Sequence, residues 1–176
     1  MLRTVDFTEA MHLTWSHVVR PLTGTAALGA ALSGGVFLAF STFVMPGLRR
    51  LPDAVGVQAM QSVNRAAPAS PVFMLTLFGT AGLTAVLAVD AVVRRSEQAA
   101  MLRLGGSLAF LVAIVLTAAY HVPRNDALAL LDPTAAATAA RWRTYAAGWT
   151  RWNHLRALAS VAGAVLLGAA ALDGRP

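Results

Sequence analysis

The chain has 176 residues, of which 57% are hydrophobic and only 12% charged, and its mean hydropathy is +0.61. The charged fraction is about half that of a typical soluble domain, so the composition excludes an ordinary soluble protein and indicates a bilayer protein. The net charge of +6 comes from arginines spread between apolar stretches, which excludes a nucleic-acid-binding stripe, and the absence of cysteine excludes disulfides and thiolate metal sites.

The predicted elements begin with a short helix on the membrane surface over residues 1–20, where charged and apolar residues alternate. Four stretches without charge follow. Because about 20 helical residues cross the hydrocarbon core, these stretches predict membrane spans over residues 22–45, 72–93, 103–120 and 155–172. The fourth stretch is the shortest, but Trp149 and Trp152 precede it as interfacial anchors.

The two long connectors are predicted to carry short helices of their own. Pro46 is expected to end the first span, with a helix over residues 53–64 after it, and Pro123 to end the third span, with a helix starting at Asp132 and Pro133. We therefore expect one all-α domain over residues 1–176, an integral membrane four-helix bundle with short connector helices. The arginine-rich connector 94–103 predicts that both termini lie in the cytoplasm. The membrane is expected to be the cell membrane.

Polar residues gather in the two long connectors, which this topology places at the same end of the bundle. His121 and His154 are candidate bases, or histidines that bond helix-end carbonyls. The amides of Asn64, Asn125 and Asn153 are candidate oxyanion donors, or helix caps. Arg124 and Arg156 are candidates to hold an enolate or phenolate, or arginines whose heads reach the interface.

Aromatic residues recur at helical spacing before the fourth span and suggest a platform for a planar ligand, or an interfacial belt. The candidate substrate-binding residues are Tyr120, Arg124, Tyr145, Trp149, Trp152 and Gln61. Small residues at four-residue spacing, such as those at Ala26, Ala30 and Gly34, either pack within the bundle or join copies in a homo-oligomer.

Several segments resemble the anthrone oxygenase-like family, also known as the domain of unknown function DUF1772. They are residues 41–46 (STFVMP), residues 59–61 with Asn64, residues 121–125 (HVPRN), and Trp149 with residues 152–156 (WNHLR). The resemblance implies a four-helix membrane bundle, and its characterised fungal members oxidise anthrones to anthraquinones with dioxygen and no evident cofactor. Asn125 matches the family pattern, whereas His121 departs from the asparagine that many relatives carry.

Together these observations predict a membrane-embedded oxygenase that acts on a lipophilic anthrone-like or phenolic substrate with dioxygen and without a cofactor. Two alternatives stay open. One is a redox enzyme that holds haem or a metal ion through His121 and His154. The other is a bundle that binds or transports small lipophilic molecules without catalysis.

Overall fold

The computed structural model describes residues 7–95 and 98–173, with side chains for residues 17–95 and 99–173. Its described part is all-helical and contains four helices long and apolar enough to cross a bilayer. These are His17–Leu48, Pro71–Val93, Ala99–Ala129 and Thr138–Leu172, named here the first to fourth spans. Each predicted span lies inside one of them, so the predicted four-helix membrane bundle is confirmed.

The outward faces of the spans are apolar. Leu28, Val89, Val115, Leu158 and Val165 are each more than 60% exposed although they are large hydrophobic residues. A helix that is apolar on both its inner and its outer face needs lipid around it. These faces therefore form the lipid-contacting surface of the bundle.

Three of the spans are interrupted by a π-helical turn, which inserts an extra residue into the α-helix. The first span consists of Phe7–Ala39, the π turn Phe40–Val44 and the short helix Met45–Leu48. The second span consists of the short helix Pro71–Met74, the π turn Leu75–Gly79 and the helix Thr80–Val93. The third span consists of the helix Gln98–Leu116, the π turn Thr117–His121 and the helix Val122–Ala129. The fourth span is one uninterrupted α-helix.

The prediction that Pro46 and Pro123 end their spans is wrong. Both prolines lie in the first turn of the short helix that follows a π turn, and the span continues through them. Proline is tolerated in the first turn of a helix, and the widened turn before it relieves the clash with the preceding carbonyl. The prediction of a separate surface helix over residues 1–20 is also wrong from Phe7 onward, since that helix continues directly into the first span; residues 1–6 lie outside the described residues.

The first long connector contains the predicted helix, which runs over Asp53–Ala69 and is named here the connector helix. In the second connector, the helix begins at Thr138 instead of Pro133 and is continuous with the fourth span. The Asp132 carboxylate caps only a turn, where it accepts hydrogen bonds from the Thr134 backbone N–H at 2.9 Å and hydroxyl at 2.8 Å. These bonds lower the pKa of Asp132.

The spans pack in a ring, with the fourth span between the first and the third and the second span closing the circle. Small residues set the closest contacts: Gly34 lies against Ser160, and Gly106 lies against Leu167 and Gly163. Ala26 and Ala30 are fully buried. Packing within one chain therefore explains the four-residue spacing of small residues in the first span.

The bundle is closed at one end by a buried apolar cluster, named here the cap. It joins the end of the first span, the connector helix, the end of the third span and the start of the fourth, through Met45, Val57, Met60, Leu128, Trp142, Tyr145, Ala146 and Trp149. Gly56 lets the Trp142 ring pack directly on the connector helix, because a Cβ there would lie 3.0 Å from the ring. At the opposite end, Asp90 bonds Arg94 and Arg103 and so links the second span to the third.

The close contact between the third and fourth spans is testable at Gly106. A Cβ at this position would lie 2.8 Å from the Leu167 Cγ and 2.9 Å from the Leu167 backbone nitrogen, so Gly106→Ala should cost about 1–3 kcal/mol of unfolding free energy. Gly105→Ala is the matched control, since its Cβ would meet only the Leu166 side chain at 3.6 Å. Thermal unfolding in detergent should show a lower midpoint for the first variant alone, and equal midpoints would contradict this packing.

Candidate active site

A cavity of about 370 Å³ lies beneath the cap, among all four spans and the connector helix. This volume is within the range of pockets that hold small organic ligands. Most of the wall is apolar, with aromatic rings from Phe37 and Phe40 of the first span, Phe73 and Phe78 of the second and Trp149 of the fourth. The polar side chains in the wall are Asn64, Thr117, His121, Asn125, Asp126 and Arg156.

All three π-helical turns lie at the level of this cavity. Each contributes at least one residue to the wall: Phe40 from the first span, Leu77 and Phe78 from the second, and Thr117 and His121 from the third. Single π turns inside α-helices occur frequently at functional sites because the extra residue redirects the side chains that follow. Here His121 and Asn125, four residues apart, face the cavity together.

His121 presents an unoccupied nitrogen in a buried position. Its side chain is 1% exposed, and its ring meets Trp149 edge-on with the ring centres 5.1 Å apart. Nδ1 lies 3.0 Å from the Leu116 carbonyl oxygen, which only accepts hydrogen bonds, so Nδ1 carries the proton. Nε2 is then the basic nitrogen, and it makes no hydrogen bond within the described part of the chain.

Arg156 is a buried cation without a carboxylate. Its side chain is 7% exposed, and it makes no ion pair with any described residue. Its guanidinium lies over the Phe37 ring, 3.9 Å from the ring centre, and donates a 3.3 Å hydrogen bond to the Thr117 hydroxyl. A charge held this way is costly in a bilayer, and the nearby cavity is where an anion would offset the cost.

Asn153 holds Arg156 in place and does not line the cavity. Its oxygen accepts two hydrogen bonds from Arg156, at 3.1 Å from Nε and 2.6 Å from Nη2. Its Nδ2 donates to the Phe37 carbonyl and the Ser41 hydroxyl, both at 2.7 Å. The predicted oxyanion donor is thus placed as a fully buried link between the first and fourth spans and the guanidinium.

Asn125 is oriented by two donors from the fourth span. Its oxygen accepts hydrogen bonds from the Tyr145 hydroxyl at 2.8 Å and from the Trp149 indole N–H at 3.0 Å. Because the oxygen is occupied in this way, the NH₂ group is the side of the amide that remains to donate to a ligand. Asn64 donates a longer bond of 3.4 Å to the same Tyr145 hydroxyl.

Seven of the predicted residues do not line the cavity. Asn153, Tyr145 and Gln61 are buried around it, and the other four are His154, Tyr120, Arg124 and Trp152. His154 is exposed on the fourth span, although Asn153 beside it is buried. Tyr120, Arg124 and Trp152 form an outer stack, with Arg124 4.7 Å from the Tyr120 ring centre and Tyr120 5.0 Å from Trp152. Arg124 lines a second, more open groove of about 390 Å³ on the outer face, which Tyr145 also reaches.

This placement bears on the metal and haem alternative. No group of three or more histidine, cysteine, aspartate or glutamate residues that suits a metal ion occurs in the described ranges. His121 lines the cavity, whereas His154 is exposed on the fourth span.

Thr117, Phe37 and Asp126 also line the cavity and were not predicted from the sequence. Thr117 could have been found from the sequence, because its hydroxyl lies in an apolar span four residues before His121. This spacing places it on the same helical face as the candidate base. Phe37 reads as an ordinary apolar residue, because its contact with Arg156 joins two distant parts of the chain.

Comparison with known protein families bears directly on this arrangement. A family model described as anthrone oxygenase matches residues 69–166, more than half of the chain. The chain belongs to the anthrone oxygenase family. The segment that matches the family contains His121, Asn125, Trp149, Asn153 and Arg156. No curated protein and no solved structure matches the chain.

Gln61 holds the cap closed over this cavity, and a substitution there tests that role. Its buried amide donates hydrogen bonds to the Leu128 carbonyl at 2.9 Å and the Leu131 carbonyl at 3.0 Å. Gln61→Glu replaces both donors with a carboxylate facing two carbonyls, which should lower the unfolding free energy by about 3 kcal/mol. Gln58→Glu, on the exposed face of the same helix, should change it by less than about 0.5 kcal/mol. A thermal melt in detergent that shows equal midpoints would contradict the role of Gln61.

Proposed function

We propose that this protein is a membrane oxygenase that oxidises a lipophilic anthrone-like or phenolic compound with dioxygen, without a bound cofactor. The observation that carries the proposal is that His121, whose Nε2 makes no hydrogen bond within the described residues, and Arg156, which forms no ion pair there, line the same cavity. A base beside an uncompensated cation suits a reaction that turns a neutral substrate into an anion. Family membership supports the oxygenase class.

The first step is removal of an acidic C–H proton by His121 Nε2. The hydrogen bond from Nδ1 to the Leu116 carbonyl fixes the tautomer and the ring orientation, which leaves Nε2 as the basic nitrogen. The pair of electrons left behind is delocalised onto the substrate oxygen as an enolate.

The enolate oxygen is stabilised by Arg156 and by the Asn125 NH₂ group. Donors that are already oriented stabilise a developing charge without reorganising, and they act most strongly where water is excluded. Arg156 is oriented by Asn153 and Thr117, and Asn125 by Tyr145 and Trp149. The rings of Phe37, Phe40 and Trp149 offer flat apolar surface for the fused rings of the substrate.

Dioxygen then reacts with the enolate, and the substrate supplies all the electrons. One electron passes from the enolate to dioxygen, and the resulting radical and superoxide combine to form a C–O bond. The peroxide takes a proton from the His121 imidazolium. Neutral His121 then takes the second C–H proton as the O–O bond breaks and passes it to the departing hydroxide, so that one oxygen atom becomes the new carbonyl and the other leaves as water.

The orientation predicted from the arginine-rich connector completes the proposal. With both termini in the cytoplasm of the cell membrane, the cap and the cavity lie at the opposite face. In that orientation the cluster of Asp90, Arg94 and Arg103, at the end of the bundle opposite the cavity, would lie at the cytoplasmic end.

The proposed base is testable with a matched pair of histidine variants. Purified protein in detergent should consume oxygen with an anthrone faster than buffer does, and His121→Gln should lower kcat by about 10²–10⁴-fold. His154→Gln alters the same residue type at an exposed position and should keep the rate within about twofold. Full activity in folded His121→Gln would remove His121 as the base, and no oxygen uptake by the parent protein would leave a non-catalytic binding bundle.

The proposed cation is testable in the same assay. Arg156→Gln should lower kcat by about 10²–10³-fold with a smaller change in KM, because the charge it stabilises develops only in the transition state. Arg151→Gln removes an exposed arginine from the same helix and serves as the control. Asn153→Asp keeps a side chain of similar shape but places a carboxylate on Arg156, and it should also be slow. Equal rates in all three variants would contradict the oxyanion role.

A further inference from the structure

The cavity is not sealed on its membrane side. Three wall residues are also exposed on the outer surface of the spans: Val36 of the first span at 39%, Phe78 of the second at 52% and Val122 of the third at 46%. All three are apolar. Phe78 follows the start of its span at Pro71 by about two helical turns, or about 10 Å along the helix axis. The gap between Phe78 of the second span and Val122 of the third, named here the mouth, therefore opens at the depth of the lipid chains.

The packing of the second span explains why the mouth exists. Near the opposite end of the bundle, Asp90 on the second span bonds Arg103 on the third, and the two helices pack together there. At the cavity end, Pro71–Met74 packs on the connector helix and Leu75–Gly79 on the first span. Within the described residues, neither segment packs substantially on the third span. The start of the second span thus diverges from the third and leaves space between them.

The water-facing end is closed by contrast. Met45, Val57 and Met60 of the cap are fully buried, and Gln61 ties the connector helix to the Leu128 and Leu131 carbonyls. Only Pro68 and Asp126 of the cavity wall are exposed near this end. A ligand that came from water would meet the Asp126 carboxylate and the packed cap, whereas a ligand dissolved in lipid meets only the apolar side chains of the mouth.

We infer that the substrate enters and the product leaves laterally, through the mouth, from the hydrocarbon phase of the membrane. This inference rests on the proposed function and specifies its substrate class as a neutral aromatic compound dissolved in the membrane. A lateral route also allows the substrate to carry an alkyl tail that stays in the bilayer. Phe78 and Val122 flank the mouth and determine the size of molecule admitted.

The inference is tested in lipid vesicles with two probes and two variants. The probes are an anthraquinone that carries a long alkyl chain and a water-soluble anthraquinone sulfonate, with quenching of Trp149 fluorescence as the binding readout. The tailed probe should quench saturably and the sulfonate should not. Val122→Phe narrows the mouth and should slow the onset of quenching, and the oxidation of a tailed anthrone, about tenfold. Val115→Phe, at an exposed position of the same span outside the cavity wall, should change neither.

The outcomes separate the mouth from the chemistry. Binding of the sulfonate as strongly as the tailed probe, or equal rates for Val122→Phe and Val115→Phe, would overturn lateral entry even if oxygen is consumed. Saturable binding of the tailed probe that slows in Val122→Phe but occurs without oxygen uptake would support the mouth and refute the oxygenase proposal.

Discussion

A guanidinium buried inside a lipid-embedded bundle is the constraint on which the rest of this structure depends. Burying an unpaired charge at this depth costs several kcal/mol of free energy. A carboxylate partner would lower this cost but would also neutralise the charge. Arg156 is instead held by neutral groups: the Asn153 oxygen, the Thr117 hydroxyl and the face of the Phe37 ring. These contacts distribute the cost over three spans and leave the positive charge available to a ligand. The same contacts bind the first, third and fourth spans together around the cavity.

The π-helical turns provide the geometry that this arrangement needs. An uninterrupted α-helix repeats its faces every 3.6 residues, so it cannot present one face to its neighbours along the apolar span and then direct His121 and Asn125 inward without a local shift. The π turn at Thr117–His121 supplies that shift, and those at Phe40–Val44 and Leu75–Gly79 do the same in the other two spans. The prolines that follow two of them are compatible with the helix because each lies in a new first turn.

The sequence was sufficient to predict the spans, because a bilayer excludes charge over about 20 residues and the charge-free stretches are visible without any tertiary information. It was not sufficient to predict the π turns, because Pro46 and Pro123 indicate a helix end by every local rule. The site was predictable in part. Tyr145, Trp149, Asn153 and Arg156 follow helical spacing and share one buried face, and the same spacing places His154 about 100° away from Asn153. His154 was therefore separable from the site by periodicity alone, whereas Phe37 and Thr117 were not, since their roles depend on contacts between distant spans.

The bundle is asymmetric along its axis, and that asymmetry suits a reaction that creates and then destroys charge. At one end, Asp90 and Arg103 hold the second and third spans together; at the other, the same helices diverge beside the cavity. In the proposed cycle a neutral substrate partitions from the bilayer and becomes an anion only after His121 removes its proton. The enolate is then retained by Arg156, because an anion does not return to hydrocarbon. Oxidation converts the acidic carbon into a carbonyl that has no proton to lose, so the product no longer forms an enolate at that carbon, and the attraction that retained the intermediate disappears when the chemistry is complete.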